Sequence, residues 1–490
     1  MLIERYENNT ISMLSGDERC RGTKKGFRIL PLLCCIWVSG AEAEVFTYPA
    51  PAGEPLSERY SVDVDGKNVD VYLAPVTDVA PDRLEKWMLQ PGTLGEAYSF
   101  ATFDFSGSVT VTVRSHKADL KNVVIRPESA GVKYKVKGDS IQFQLNQPCQ
   151  LSIEPEGRLN PLLLFANPPQ VNPPDKDDPN VIYFGPGIHK PERIRVGAGQ
   201  TLYLAGGAVV KGGVEIAGDN VTVCGRGILC GSDWPWRKGP GSMIRMRNVK
   251  NVNIRDIILR GSWSWTIVPR NCDDVLIENV KICGSKCPND DGINPVNSRN
   301  VTIRNCFIRT DDDCIAMKGT NIEYGNVENI LVENCVLWGD RARIFLLGHE
   351  SRAEYMRDIT IRNVDVLHFS MTPFLIEPGE EMAIENVLIE NVRCYAECWR
   401  ECRDFIRLQP VINQYMKTQV PGRISGMHFK NVTLDGKDEK GWYGIWIKGH
   451  SKGYGVSNVR FENMSWFGEK LRKDSPGVRI EDNADDIIFR

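Results

Sequence analysis

The stretch from residue 274 to residue 319 reads DVLIENVKICGSKCPNDDGINPVNSRNVTIRNCFIRTDDDCIAMKG. It states one phrase twice, DVLIENVKI and then NVTIRNCFI, and each copy is followed by a knot of aspartates, Asp290–Asp291 and Asp311–Asp313. Within the phrase apolar residues stand at alternate positions, the period of a strand, and helical spacing is absent. The phrase recurs on both sides as NVTVCGRGI, NVNIRDIIL, NILVENCVL, DITIRNVDV, NVLIENVRC, GMHFKNVTL and NVRFENMSW. Its anchors are Val221, Val252, Val275, Val301, Ile330, Ile359, Val387, Met427 and Val459, spaced 23 to 40 residues apart. Four residues after the anchor stand Asp256, Asn279, Asn305, Asn334, Asn363, Asn391, Asn431 and Asn463.

Repeats of this length are stacked supersecondary units. A strand, a sharp turn, a second strand and a return make one coil of a parallel β-helix. A leucine-rich repeat would need leucine and helix content that this chain lacks. The asparagine column fits the β-helix, because Asn accepts the left-handed conformation of a tight bend and stacked Asn side chains bond one another. Residues 181–490 are therefore expected to form a right-handed parallel β-helix in an all-β protein.

Residues 44–166 have a different rhythm. RYSVDVDGKNVDVYLAPV turns at Asp65-Gly66, FATFDFSGSVTVTVRS alternates, and VKYKVKGDSIQFQL is another hairpin, the pattern of a small antiparallel β-sandwich. Such a domain is expected to cap the first coil, whose open strand edge would otherwise pair with other chains. NPPQVNPPDKDDPN, residues 167–180, reads as a linker allowing limited motion. Residues 1–43 read as a leader: Lys24, Lys25 and Arg28 precede the apolar run ILPLLCCIWV, and Ala41-Glu42-Ala43 supplies a cleavage site. The run is too short to span a bilayer, so export is expected, secreted or periplasmic, with Met13 an alternative start.

With 490 residues, 42% hydrophobic, the chain has material for a large core and two domains. Its 60 basic and 63 acidic residues nearly balance, and no basic stripe marks a nucleic-acid binder. No zinc-type His/Cys spacing occurs, so neither a metal nor another cofactor is expected. Cys283/Cys287 and Cys394/Cys398/Cys402 are spaced to bridge in an oxidising compartment, whereas Cys306 and Cys335 replace Val or Ile of other repeats and read as core residues.

Residues one coil apart stack at about 4.8 Å. Aligning Asp291-Gly292-Ile293-Asn294 with Asp313-Cys314-Ile315-Ala316 makes Asp291 and Asp313 vertical neighbours, with Asp312 beside the upper one. Three crowded carboxylates raise the pKa of at least one member. A protonated acid beside ionised partners is what glycoside hydrolysis needs. Asp290 and Asp311 read as turn or calcium-type residues.

The N-x-D-G of Asn289 to Gly292, followed one coil later by D-D-C-I-A-x-K through Lys318, resembles the parallel β-helix glycoside hydrolases of the polygalacturonase family. The resemblance covers roughly residues 180 to 470 and implies Asp312 as general acid, Asp291 and Asp313 as the pair that activates water, and inversion at the anomeric carbon. That family's Gly-His-Gly and Arg-Ile-Lys have no counterparts here. Gly348-His349-Glu350 follows the strand RIFLLG, Gly339-Asp340-Arg341 fills the slot before it, and Phe374-Leu375-Ile376 offers no cationic pair. In these places, and in its N-terminal sandwich, the chain is similar to the sister family of dextranases and isopullulanases, which implies a neutral polysaccharide substrate. Polygalacturonate is the alternative. A polysaccharide lyase and a non-catalytic carbohydrate-binding β-helix are the remaining function classes. Candidate substrate contacts are Asn289, Lys318, Arg341 and His349, with Trp265 and Trp338 as stacking faces for sugar rings; Trp234, Trp236, Trp263 and Arg343 are weaker candidates. A monomer acting on polysaccharide is expected.

Overall fold

A computed structural model describes residues 43–76, 79, 81–84, 93–396, 404–436 and 443–490. The leader up to residue 42 and the bridging candidates Cys398 and Cys402 lie outside them. Among the described residues all regular structure is strand, apart from three short 3-10 turns.

The repeat phrases stack as a parallel ladder. Val221 pairs with Val252, Val252 with Val275, Val275 with Val301, and so on through Ile330, Ile359, Val387 and Met427 to Val459. All nine anchors point into one continuous apolar core. The residues from Asp256 to Asn463 that follow them are all left-handed, with φ between 50° and 73°. The upper part of this column is a hydrogen-bonded ladder in which Asn363, Asn391, Asn431 and Asn463 each donate to the Asn one coil below, at 3.3, 3.1, 2.9 and 2.7 Å. Lower down, Asn279 donates to Asp256 Oδ1 at 2.8 Å, and Gln150 of the sandwich enters above it, donating to Asn279 Oδ1 at 3.3 Å and to the Asn305 carbonyl at 2.7 Å.

A second left-handed column stands just before the anchors: Asn220, Asn251, Asp274, Asn300, Asn329, Asp358, Asn386, Gly426 and Asn458. It too is cross-linked, Asn329 donating to Asn300 at 2.6 Å and Asn251 to Asn220 at 2.7 Å. The one glycine, Gly426 at φ +65°, occupies the same conformation without a side chain.

Residues 44–167 form two sheets. One contains Glu44–Thr47, Val71–Pro75, Ala97–Ser106, Val124–Arg126, Cys149–Glu154 and Leu162–Asn167; the other contains Tyr60–Val64, Lys67–Val69, Val109–Ser115, Tyr134–Lys137 and Ser140–Leu145. All pairings are antiparallel except that of Ala97–Ser106 with Leu162–Asn167. A cap over the first coil was expected, yet Val181–Phe184, the strand that opens that coil, is partly exposed. The first sheet lies along the flank of successive coils, its Tyr72, Tyr98, Phe100 and Phe165 sharing an apolar cluster with Ile228, Ile258, Cys283, Phe307, Trp338 and Leu367. Phe165 meets Phe307 edge-on at 5.3 Å. Buried ion pairs add to this contact: Arg226 donates to both oxygens of Asp104 at 2.8 Å, and Arg260 to Glu54 at 2.5 Å.

Every cysteine among the described residues is a free thiol. Cys283 packs against the sandwich and Cys287 beside Trp236, in separate clusters, so the proposed Cys283–Cys287 bridge is absent. Cys306 and Cys335 are core residues at 0% and 1% exposure.

Candidate active site

One face of the helix is a parallel sheet of short strands that includes Ile244–Arg247, Ile267–Arg270, Ile315–Met317, Phe345–Gly348, Phe374–Glu377, Asp404–Leu408 and Gly444–Ile447. Ile293 and Val296 bridge the gap between the second and third of these. Ile267, Ile293, Ile315 and Phe345 lie in one register column inside the core. Two residues earlier on each coil stand Trp265, Asp291, Asp313 and Arg343. Backbone bonds from Gly292 to the Asp313 carbonyl and from Cys314 to the Arg343 carbonyl, both 2.9 Å, fix that stacking. The corner at Gly292 admits no side chain, since a Cβ there would meet the Cys314 carbonyl oxygen at 2.4 Å.

The three aspartates come together as expected. The Asp313 amide donates to Asp312 Oδ1 at 3.0 Å. Asp291 accepts from Asn294 Nδ2 at 2.8 Å and faces Lys318 Nζ at 3.4 Å, while its Oδ1 is buried without a hydrogen-bond partner. Asp313 Oδ1 accepts from the Arg343 amide at 3.1 Å, with the Arg343 guanidinium 3.7 Å away. Asp312 Oδ2 has Asn289 Nδ2 at 3.3 Å and Arg341 Nη2 at 3.4 Å. The side chains of Asp291 and Asp313 are 2% and 4% exposed, and that of Asp312 is 13% exposed, so Asp312 is the member a ligand reaches first.

Burial holds the Asp291 carboxyl well above the ordinary range against the pull of Lys318, and Asp312 and Asp313 push the same way. Burial also raises Asp312, with Arg341 opposing and Asp313 adding to the rise. Like charges crowded away from water cannot all ionise. The cluster therefore retains protons at pH values where isolated aspartates have lost theirs.

Asp290 and Asp311 take the turn role. Asp290 Oδ2 accepts from the amides of Ser285 and Lys286 at 2.6 and 3.0 Å, and its Oδ1 from those of Asp311 and Asp312 at 2.8 and 3.3 Å. A single buried carboxylate thus ties the two acidic turns together. Asp311 accepts from Arg341 Nε at 3.0 Å; burial pushes its pKa up to about 6, with Arg341 opposing.

The other expected contacts divide. Asn289 bridges the acidic turn to Trp236, whose Nε1 donates to it at 3.1 Å. Lys318 is buried between Asp291 and Glu350, 3.1 Å from the latter, with its ammonium 4.3 Å from the Trp265 ring centroid. Trp265 is half-buried and lines a cavity of about 380 Å³ with Arg237, Ser242 and Arg270. His349 is half-buried at the groove edge, bonded to Glu377 at 2.9 Å and 5.4 Å from the Tyr415 ring.

Two expectations are corrected. Trp338 is fully buried on the sandwich side, against His368 at 4.1 Å, and cannot stack on a sugar. Arg341 is 1% exposed and turned into the acidic turns, where it bonds Asp311, Asp312 and the Pro288 carbonyl, so it braces the cluster instead of gripping substrate. Trp263, a weaker candidate, is likewise sealed in the core. Register puts Arg343, not Arg341, above Asp313; counting two residues back from Phe345, as Asp313 stands two before Ile315, was the available signal. Glu350 and Arg270 were also missed.

Residues 219–339 match the family model "Glycosyl hydrolases family 28". A probable polygalacturonase of Vitis vinifera is 34% identical over 121 residues, 23% of this chain and 24% of the relative. An exopolygalacturonase of Cochliobolus carbonum is 28% identical over 190 residues, 36% of this chain and 41% of the relative. The chain thus spans less than half the length of these curated relatives. Among solved structures, Dex49A from Penicillium minioluteum superposes with a TM-score of 0.65 at 16% identity, over 90% of this chain and 96% of that one. Together these show a parallel β-helix fold, with residues 219–339 similar to the family 28 glycosyl hydrolases. The sequence matches run to polygalacturonases, while the whole-chain fold, sandwich included, is that of Dex49A.

Proposed function

We propose that the protein is an exported, monomeric, inverting glycoside hydrolase that cleaves a neutral polysaccharide in dextranase-like fashion, with residues 44–166 and 181–490 as its two domains. The observation that carries the reading is the convergence of Asp291, Asp312 and Asp313 with only Asp312 open to a ligand. In this mechanism Asp312, kept protonated by burial and by its neighbours, donates to the leaving glycosidic oxygen. Asp291 and Asp313 hold a water at the anomeric carbon, and the ionised member of the pair accepts its proton, giving the inverted product. Lys318 and Arg343 limit the charge cost of keeping those two acids together. Trp265 offers a face to the neighbouring sugar ring.

Polygalacturonate is the second reading, and one observation favours it. Arg270 lines the cavity beside Trp265, its guanidinium 5.2 Å from that ring and donating to Thr320 Oγ1 at 3.5 Å, and it forms no ion pair among the described residues, so its charge is uncompensated for a substrate carboxylate. Incubation with dextran, pullulan, polygalacturonate and a red-algal galactan, followed by chromatography, separates the readings. Oligosaccharides from dextran or pullulan support the first, and oligogalacturonates support the second. Ultraviolet-absorbing unsaturated products, or binding with no cleavage at all, would overturn both.

A further inference from the structure

The sandwich reaches the acidic turns through a buried chain of polar contacts. Tyr98, on Ala97–Ser106 and 0% exposed, donates its hydroxyl to the Gly284 carbonyl at 2.9 Å. Its ring lies 4.1 Å from the guanidinium carbon of Arg309, which is the same distance from the Trp338 ring on another side. Arg309, itself fully buried, donates to both oxygens of Asp340 at 2.8 and 3.4 Å, and Trp338 Nε1 donates to Asp340 at 2.8 Å. Asp340 accepts the Ser285 hydroxyl. The Ser285 amide bonds Asp290, and Asp290 holds the amides of Asp311 and Asp312. Behind Trp338, His368 bonds Glu154 of the sandwich at 3.0 Å.

Apolar contact and ion pairs hold the sandwich in place. The polar chain does something more specific, because it ends on the backbone of the proton donor. There is little slack along it: a Cβ at Gly284 would meet the Arg309 carbonyl oxygen at 2.5 Å and Asp290 Oδ2 at 3.0 Å. A buried network with its members bonded on both sides passes a displacement along instead of absorbing it. We propose, on the hydrolase reading above, that the sandwich is part of the mounting of the proton donor, with Tyr98 a positioning residue acting on Asp312 through Arg309, Asp340, Ser285 and Asp290.

The test uses the full chain with Tyr98→Leu, Tyr98→Phe and Ser285→Ala. Three readouts are taken: kcat and KM on the polysaccharide that the wild type cleaves, thermal unfolding, and a ¹³C NMR titration of carboxyl-labelled aspartates. Tyr98→Leu and Ser285→Ala are expected to lower kcat by about 10- to 100-fold with KM unchanged, the cost of an acid displaced by a fraction of an ångström. Tyr98→Phe, which keeps the ring beside Arg309, is expected to restore most of that rate. The titration of the cluster is expected to move in the two damaging variants. Should Tyr98→Leu not fold, Ser285→Ala breaks the same chain without touching the sandwich. Folded variants with wild-type kcat and wild-type titration would overturn the proposal. A wild type that cleaves nothing overturns the hydrolase reading, and the titration then decides the positioning link alone.

Discussion

The same coils present two faces with opposite electrostatic arrangements. On the flank under the sandwich, buried charges meet opposite charges: Arg226 with Asp104, Arg260 with Glu54, Arg309 with Asp340. On the groove face, three aspartates meet one another, and the nearby cations Lys318, Arg341 and Arg343 offset them without separating them. The first arrangement joins two layers of protein. The second keeps protons on acids at a cost in stability, and the proposed hydrolysis puts those protons to use. Asp291 and Asp313 are buried about as deeply as the flank pairs, so for these groups it is the choice of neighbour that separates scaffold from site.

The largest expected effect breaks the groove side. Asp291→Asn should lower kcat by about 10²- to 10⁴-fold, the worth of a general base, while the melting temperature holds or rises because three crowded acids become two. An active, destabilised variant would assign Asp291 to scaffolding. The flank responds the other way. Asp104→Asn leaves Arg226 with one of its two carboxylate partners, Asp256, and should cost about 1.5–3 kcal/mol in chemical unfolding, the range for a lost hydrogen bond to a charged group that keeps its other partner.

A pH experiment sharpens the contrast. Lys281, fully buried between Asn167 and Asn279, has its pKa pushed down to about 7 by burial and by Arg226. Since that lies below the unfolded value of about 10.4, the unfolded chain binds the extra proton between the two. Stability from this site is therefore gained as pH rises from about 7 towards about 10 and lost as it falls back. Unfolding of Lys281→Met, compared with wild type across that window, should show a smaller rise with pH; parallel curves would contradict it. The smallest effect falls on the substrate face. Trp265→Ala should raise KM by about 3- to 10-fold, while Trp338→Phe, on the sandwich side, should leave KM alone.

These two faces were unequally legible in the sequence. The coil stack was readable because each anchor from Val221 to Val459 is apolar, alternates with polar neighbours, and precedes an Asn or Asp that can take a left-handed bend. The second left-handed column, Asn220 to Asn458, was equally present as the residue before each anchor, but no contrast with ordinary strand polarity marked it. The acidic trio was readable because the stack converts 22 residues of sequence into one step of height. Trp338 was misread because alternation says that a side chain points outward and not what waits there; a sheet from residues 97–167 covers it. Arg341 and Arg343 were confused because turn lengths vary between coils, and only the pairing of Ile315 with Phe345 sets the count.

The most direct measurement is reducing-end release by Asp312→Asn on the polysaccharide that the wild type cleaves, with thermal unfolding in parallel. The account predicts activity reduced to background at an unchanged or higher melting temperature, since an amide keeps the contact with Asn289 but cannot donate the proton at the leaving oxygen. A folded Asp312→Asn protein that retains about a tenth or more of the wild-type rate, where loss of a general acid costs about 10²- to 10⁴-fold, would contradict it.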